Sequence, residues 1–392
     1  MTASLALESA VAEQVAAATV LAGLRGMGPR RLSALLDGRP PVEALRLATS
    51  GSVGALRAVL GGSDPLEPVA AAWAADRGVD PAAALADHIQ ADVRVRLHPR
   101  VAAGVGLLDP YPAALVEDIE PPAVLFTRGD TDCLAAPTVA IVGTRRCTGT
   151  GAGLARELGR ELSAAGVVVV SGLALGIDGA AHRGVLEALA VDPAAAPPVA
   201  VVGSGIDVVY PSRHRDLWMA VGDVGLLVSE APLGVRPAAW RFPARNRVIA
   251  ALADVVVVVE SHAAGGSLHT VAEAVRRDTD VMAVPGSVRS SAAAGSNQLL
   301  ADGCHPVRDA GDVLVALGLQ QGRRHRPAEH RSTPSPQGLV VLDAFDWEPA
   351  TFEHLAVRTG LPLPELATTL EQLVTAGWVT TDAGWYERRA AS

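Results

Sequence analysis

Six short runs decide the fold: VAIVG at Val139–Gly143, VVVVSG at Val167–Gly172, VAVVGSG at Val199–Gly205, GLLVSE at Gly225–Glu230, VVVVVES at Val255–Ser261 and VMAVPG at Val281–Gly286. Each is a continuous apolar run rather than an alternation of apolar and polar residues, the pattern of strands covered on both faces. Amphipathic stretches lie between them. From about Leu107 to Leu317 the chain therefore alternates strand and helix, which predicts an α/β domain with a doubly wound, mostly parallel sheet.

Outward from this block the texture changes on both sides. The first 85 residues are Ala- and Leu-rich helical segments broken at Gly-Pro and Gly-Gly points. Residues 319–338, around QQGRRHRPAEHRSTPSPQ, read as a polar, basic, Pro-rich linker. Residues 339–392 hold three helical patterns, near Leu339–Phe345, Thr351–Thr359 and Pro364–Ala376, then WVTTDAGWYERR, which reads as a hairpin turned at Asp382–Gly384. The expected division is 1–85, 86–318, linker 319–338 and 339–392.

Composition removes several classes. The 392 residues contain no lysine, so all 33 basic side chains are arginine, against 42 acids and a formal charge of −9. A Walker-type phosphate loop and a Schiff-base enzyme both need lysine. Cys133, Cys147 and Cys304 are far apart with no CxxC pair, which argues against a disulfide framework or a structural zinc site and fits a reduced cytoplasm. No apolar run reaches the length of a membrane span, and the stretch Val15–Leu24 follows Glu8 and Glu13 rather than a basic segment, unlike a signal peptide.

In open α/β sheets ligands bind outside the carboxyl ends of the strands, so the residues after each run matter most. They are Gly143, Thr144, Arg145 and Arg146 after the first, and Ser171 and Gly172 after the second. After the third come Gly203, Ser204 and Gly205, then Arg213 and Arg215. The fourth ends at Glu230, ahead of Arg241, Phe242, Arg245, Asn246 and Arg247; the fifth is followed by Gly265, Gly266 and Ser267. Small residues let backbone N–H groups approach an oxyanion, and arginine adds bidentate phosphate contacts. Between Ser204 and Ala250 six arginines face four acids, a local excess of positive charge in an acidic chain. The pattern is that of a multi-phosphate site. A dinucleotide fits poorly: Gly143 is followed by TRRCT rather than the G-x-G-x-x-G fingerprint, and the second run ends without an acid. Asp178 and His182, one helical turn apart, read as a capping residue and a packed histidine rather than a catalytic pair. Glu230 and Glu260 at strand ends could serve as bases, but no nucleophile or ligand set accompanies them.

The ordered set IVGTRR, VVSGLALGIDGAAHRG, AVVGSGIDVVYP, SEAPLG, FPARNRVIAAL, GGSLHT and VPG resembles the DprA family of DNA-processing proteins, over roughly residues 107–308. The resemblance implies an extended Rossmann-like fold and a homodimer without established catalysis. It also implies a protein that binds and protects single-stranded DNA and loads a RecA-type recombinase onto it during natural transformation and recombination. No cofactor, metal or membrane partner is implied. On the family pattern, Arg145 is the foremost phosphate contact, and Phe242, Pro243, Arg245, Asn246 and Arg247 match the FPxRNR motif in full. His214 stands where the family usually has Asn, and Arg145–Thr148 lacks the usual Ser and Tyr. Phe242, Trp240 and Trp218 are the expected base-stacking residues.

LAGLRGMGPRRLSALL resembles a helix-hairpin-helix element, with Gly26-Met27-Gly28 as its turn and Arg30 and Arg31 alongside; a plain helical hairpin fits equally. The C-terminal segment resembles a winged helix. From Leu339 onward it carries eight acids against three arginines, so a protein-contact role is expected rather than DNA binding. The competing class is a phosphoribohydrolase-like nucleotide-processing enzyme. Its PGGxGTxxE signature is met only in part by HAAGGSLHTVAE, which has Gly265, Gly266 and Glu273 but no Pro and no second Gly before Thr270.

Overall fold

The computed structural model describes residues 2–62, 65–102, 109–319, 334–345, 349–382 and 384–389. They fall into two compact units, Met1–Gln320 and Gln321–Ser392.

The first unit is built on nine strands: β1 (Arg94–Leu97), β2 (Val124–Arg128), β3 (Thr138–Val142), β4 (Val168–Ser171), β5 (Val199–Val202), β6 (Leu226–Ser229), β7 (Val255–Val258), β8 (Asp280–Ala283) and β9 (His305–Pro306), in the spatial order β1-β2-β6-β5-β4-β3-β7-β8-β9. From β6 to β9 every pair is parallel; β1 and β2 run antiparallel at one edge. The six apolar runs are β3 to β8, and the reason they are continuous is visible in the packing. Val139 and Ile141 of β3 face α7 (Gly149–Ala164) and α8 (Ile177–Val191), while Ala140 and Val142 face the opposite layer. Further helices of the unit are α9 (Arg215–Val224), α10 (Arg241–Ala251), α11 (Ser267–Val275), α12 (Ala294–Ala301) and α13 (Ala310–Ala316). α10 and α11 supply that opposite layer through Val248, Ile249, Val271 and Ala274. Covered on both faces, the strands have no use for alternation.

The N-terminal helices α1 (Thr2–Gly23), α2 (Pro29–Leu36), α3 (Pro41–Ala48), α4 (Val53–Leu60), α5 (Glu67–Ala75) and α6 (Pro81–Gln90) do not form a separate body. Val15, Leu21, Leu24 and Leu85 share one core with Val95, Phe126, Val202 and Trp218 of the sheet layers. The boundary expected at residue 85 thus falls inside α6, because the helices cover the antiparallel edge of the sheet. Among the described residues no helix is long and apolar enough to cross a membrane.

The linker expected over 319–338 lies mostly outside the described residues, and its end is corrected: Ser335 caps a helix by accepting the Gly338 N–H at 3.0 Å. The second unit contains α14 (Pro336–Asp343), β10 (Ala350–Thr351), α15 (Phe352–Thr359), α16 (Leu363–Thr375), β11 (Val379–Asp382) and β12 (Trp385–Arg388). Its strands pair antiparallel in the order β10-β12-β11, over a core of Leu342, Phe345, Leu355, Leu370 and Val379.

In the large sheet the chain runs from β3 to β4 on one side and returns on the other with β7. The carboxyl ends of β3 and β7 therefore border the crevice where the winding reverses, the place an open α/β sheet offers a ligand.

Candidate nucleic-acid interface

A cleft of about 870 Å³ opens at that crevice, lined by Thr144, Arg145, Arg146, Tyr210, Phe242, Arg245, Asn246 and the Gly265–Ser267 turn among others. Of the loops expected to converge, those after β3, after β7 and before α10 supply most of the lining, the loop after β5 adds Tyr210, and the segment after β4 reaches it through Ala174 and Asp178.

The loop after β3 is held by Glu260. The Thr144 N–H donates to its carbonyl at 2.7 Å, and Thr148 donates its N–H (2.8 Å) and its hydroxyl (2.6 Å) to its carboxylate. That carboxylate sits at the N-terminus of α7, so close that a side chain at Gly151 would overlap it. The anion position a dinucleotide pyrophosphate would take at this helix is already filled. Glu260 thus caps the start of α7. The loop's free cations, Arg145 and Arg146, are exposed. Arg145 places its guanidinium 5.1 Å from the centre of the Phe242 ring, which in turn lies 5.3 Å from the ring of Tyr210.

Beneath this surface lies a buried polar layer. Ser171 donates to the Ile141 carbonyl at 2.6 Å, tying β4 to β3 rather than facing the cleft. Asp178 accepts the Gly172 N–H at 3.1 Å and so knots the loop ahead of α8; it does not cap the helix, whose N-cap is Gly176. Arg245, only 7% exposed, donates to the carbonyls of Gly172 (2.9 Å) and Val201. A Cβ on Gly172 would overlap that guanidinium, which is why the position is glycine. Burial pushes the Asp178 carboxyl up and pulls Arg245 down to about 10. His182 is buried against the Val199 carbonyl and pulled down to about 4 by desolvation. Asp178 and His182 are core groups.

The remaining expected residues separate in the same way. Ser204 donates to the Val208 carbonyl, and the Gly205 N–H donates to Val235, so the Gly203–Gly205 turn bonds internally while Gly203 backs the Phe242 ring. Arg247, 5% exposed, is paired with Glu230 and with the Glu120 carbonyl. The expectation that Arg245 and Arg247 present free guanidinium groups is therefore corrected: both point inward, and Glu230 is a counter-ion whose burial raises its own carboxyl. Arg213 and Arg215 are exposed on either side of the buried His214 but do not line the cleft. Arg241 stacks on Trp240 at 4.4 Å, outside the cleft. Asn246 reaches the Gly266 carbonyl at 3.4 Å, and Ser267 donates to Ser261 at 2.9 Å, which fixes the turn before α11.

Trp218 is also corrected: it is buried, with its indole N–H on the Ile206 carbonyl, and offers no face to a base. The stacking partner not expected is Tyr210, 41% exposed, whose signal was its place next to Pro211 after the third Gly-rich strand end. His262 and His269 also line the cleft and carried no sequence signal beyond proximity to Gly265. Glu273, the acid required by the nucleotide-processing alternative, is engaged with Arg277 at 2.6 Å and Arg276 at 3.1 Å and is not a cleft residue.

Fold and site together define an open α/β protein whose switch-point cleft combines exposed arginines, aromatic rings and backbone turns. The chain belongs to the DNA recombination-mediator protein A family, whose family model matches residues 107–318. Among curated relatives, the protein Smf of Escherichia coli is 34% identical over 287 residues, covering 71% of this chain and 75% of that protein. A putative DNA processing protein DprA of Mycobacterium tuberculosis is 37% identical over 278 residues, covering 69% and 70%. The X-ray structure of DNA processing protein A from Streptococcus pneumoniae aligns with a TM-score of 0.59 at 30% identity, over 76% of this chain and 95% of that one.

Proposed function

We propose that the cleft binds single-stranded DNA without reading its sequence. The observation that carries this is the Arg145–Phe242–Tyr210 stack at the cleft wall. Two partly open aromatic faces accept unpaired bases, while Arg145 and Arg146 meet the phosphates between them. A duplex keeps its bases stacked inside and cannot use the rings. Gly143, Thr144 and the Gly265–Ser267 turn let a backbone approach, Gly203 backs the Phe242 ring, and Arg213 and Arg215 extend the positive surface beyond the cleft. Ser171, Gly172, Ser204, Gly205, Arg245 and Arg247 act beneath the site, holding its floor.

On this reading the protein is a cytoplasmic, non-catalytic mediator. It acts as a homodimer, protects the bound strand and passes it to a RecA-type recombinase during DNA uptake and recombination. The helical turn Gly26–Gly28 takes the part of a helix-hairpin-helix element. The C-terminal unit is read as a winged helix, and the excess of acids in its sequence suits a protein contact better than phosphate. The test is fluorescence anisotropy with labelled oligonucleotides over a salt series. Single strands should bind far more tightly than the matching duplex, with log K falling linearly against log salt. Equal affinity for both, or no salt dependence, removes the reading. Recombinase loading is tested by strand exchange on DNA already coated with a single-strand-binding protein, where addition of this chain should shorten the lag.

A further inference from the structure

Trp240 and Phe242 are two residues apart at the start of α10 and serve different places. Phe242 lines the cleft; Trp240 does not. Its ring turns toward the junction of α1 and α2, where a Cβ on Gly28 would come within 3.5 Å of ring carbon Cζ3. The Arg241 guanidinium stacks on the ring, yet 44% of Trp240 stays exposed. Two tryptophans that are fully buried among the described residues show what a purely structural role looks like here. Trp73 and Trp218 are closed off from solvent, with indole N–H groups on the carbonyls of Arg25 and Ile206.

Two further cations, Arg30 and Arg31, stand in the first turn of α2, directly after the Gly28 backbone that the ring faces. The Arg30 side chain is 91% exposed and only 3.9 Å from the Glu120 carboxylate, a contact loose enough for solvent and salt to screen. Arg31 is exposed and donates to the Gly26 carbonyl at 3.0 Å. A guanidinium has five N–H donors, so these contacts leave most of them open. Residues 237–239, immediately before Trp240, line the cleft itself, so the cleft wall runs into this patch with no intervening element.

We infer that Trp240 with Arg30, Arg31 and Arg241 forms a second subsite for the same single strand. Nucleotides that leave the cleft past Phe242 stack on the indole and set their phosphates on these arginines, displacing Glu120 from Arg30. The inference rests on the single-strand reading of the cleft. It adds that the bound length extends over the junction of α1 and α2.

The experiment compares labelled oligothymidylates of about five and about fifteen nucleotides, lengths that bracket common groove site sizes. Binding is measured for the wild type, Trp240→Ala, Trp240→Phe and the double variant Arg30→Ala/Arg31→Ala, with thermal unfolding as a check on folding. Trp240→Ala should weaken the longer strand by about 5- to 100-fold, the range set by loss of one aromatic stack, and leave the shorter one unchanged. Trp240→Phe should restore most of the loss. Long-strand binding should quench tryptophan fluorescence, and Trp240→Phe should remove that quench. Unchanged long-strand affinity in Trp240→Ala, or equal weakening at both lengths, overturns the subsite. If Phe242→Ala weakens both lengths while Trp240→Ala weakens neither, only the subsite falls. If the wild type binds neither length, the cleft reading falls and takes the subsite with it.

Discussion

Replacing Arg245 by Ala separates a buried support from a phosphate contact. In the folded chain the guanidinium donates to the carbonyls of Gly172 and Val201 and is the principal cation acting on the buried Asp178. Removing it leaves two buried acceptors without their donor and a buried carboxylate without its counter-charge. Each unsatisfied buried group costs about 1–3 kcal/mol, and breaking a buried charge pairing about 3–5 kcal/mol in all. With overlap between these costs, a destabilisation of about 3–5 kcal/mol is expected. For a cooperative unit of this size that lowers Tm by about 4–8 °C. Arg145 is exposed and stacks on Phe242. Arg145→Ala should leave Tm within about 1 °C of wild type and reduce the slope of log K against log salt by about 0.7, the value of one single-strand phosphate. Calorimetry gives the first quantity; anisotropy over a salt series, at a temperature where both variants are folded, gives the second. An Arg245→Ala protein that keeps its Tm and loses about 0.7 of the salt slope would refute the assignment of Arg245 to the floor.

Phe242→Ala should lower single-strand affinity by about 5- to 100-fold with the salt slope unchanged, because a stack and not a charge is lost; a changed slope in the same titration would contradict this. Gly184→Ala should destabilise by about 1–3 kcal/mol in urea unfolding, since its Cβ would overlap the Arg156 backbone where α7 and α8 touch; an unchanged midpoint would show that the helices can separate at no cost. His182 is pulled down to about 4 in the folded state, so the unfolded chain binds the extra proton between about pH 6.5 and 4. Stability at pH 7 should therefore fall on acidification through that window, by about 3 kcal/mol from this residue, and the fall should shrink in His182→Gln. A urea midpoint indifferent to pH between 7 and 4.5 would contradict the burial of a neutral imidazole.

How much of this is legible in sequence depends on range. The runs β3 to β8 are continuous in valine and leucine, and their layer burial follows from local composition alone. β1, with residues Arg94, Val95, Arg96 and Leu97, has no such run. Arg96 is buried there only because its guanidinium reaches Thr127 at 2.9 Å and the Pro110 carbonyl, partners that a linear reading does not bring together. The same limit explains the arginines of α10. Arg241, Arg245 and Arg247 look alike in the motif, and what separates them is a carboxylate or carbonyl far along the chain: Glu230 and Glu120 for Arg247, Gly172 and Val201 for Arg245. Glu260 caps Thr148 from 112 residues away, so its apparent role at a strand end gave no hint of the helix it closes. Tyr210 became visible only when the loop after β5 was brought against Phe242.

The missing lysine also takes on a location. With Arg245 and Arg247 committed to the interior, the exposed arginines of the cleft are, among the described residues, Arg145 and Arg146, with Arg213 and Arg215 exposed outside its lining. The most direct measurement of the central claim is photocross-linking of a 5-iodouracil-substituted single strand, followed by peptide mapping. Adducts on Tyr210 and Phe242, suppressed by excess unlabelled single strand and not by duplex, are the expected result. Adducts confined to residues 334–389, with none on the cleft wall, would contradict it.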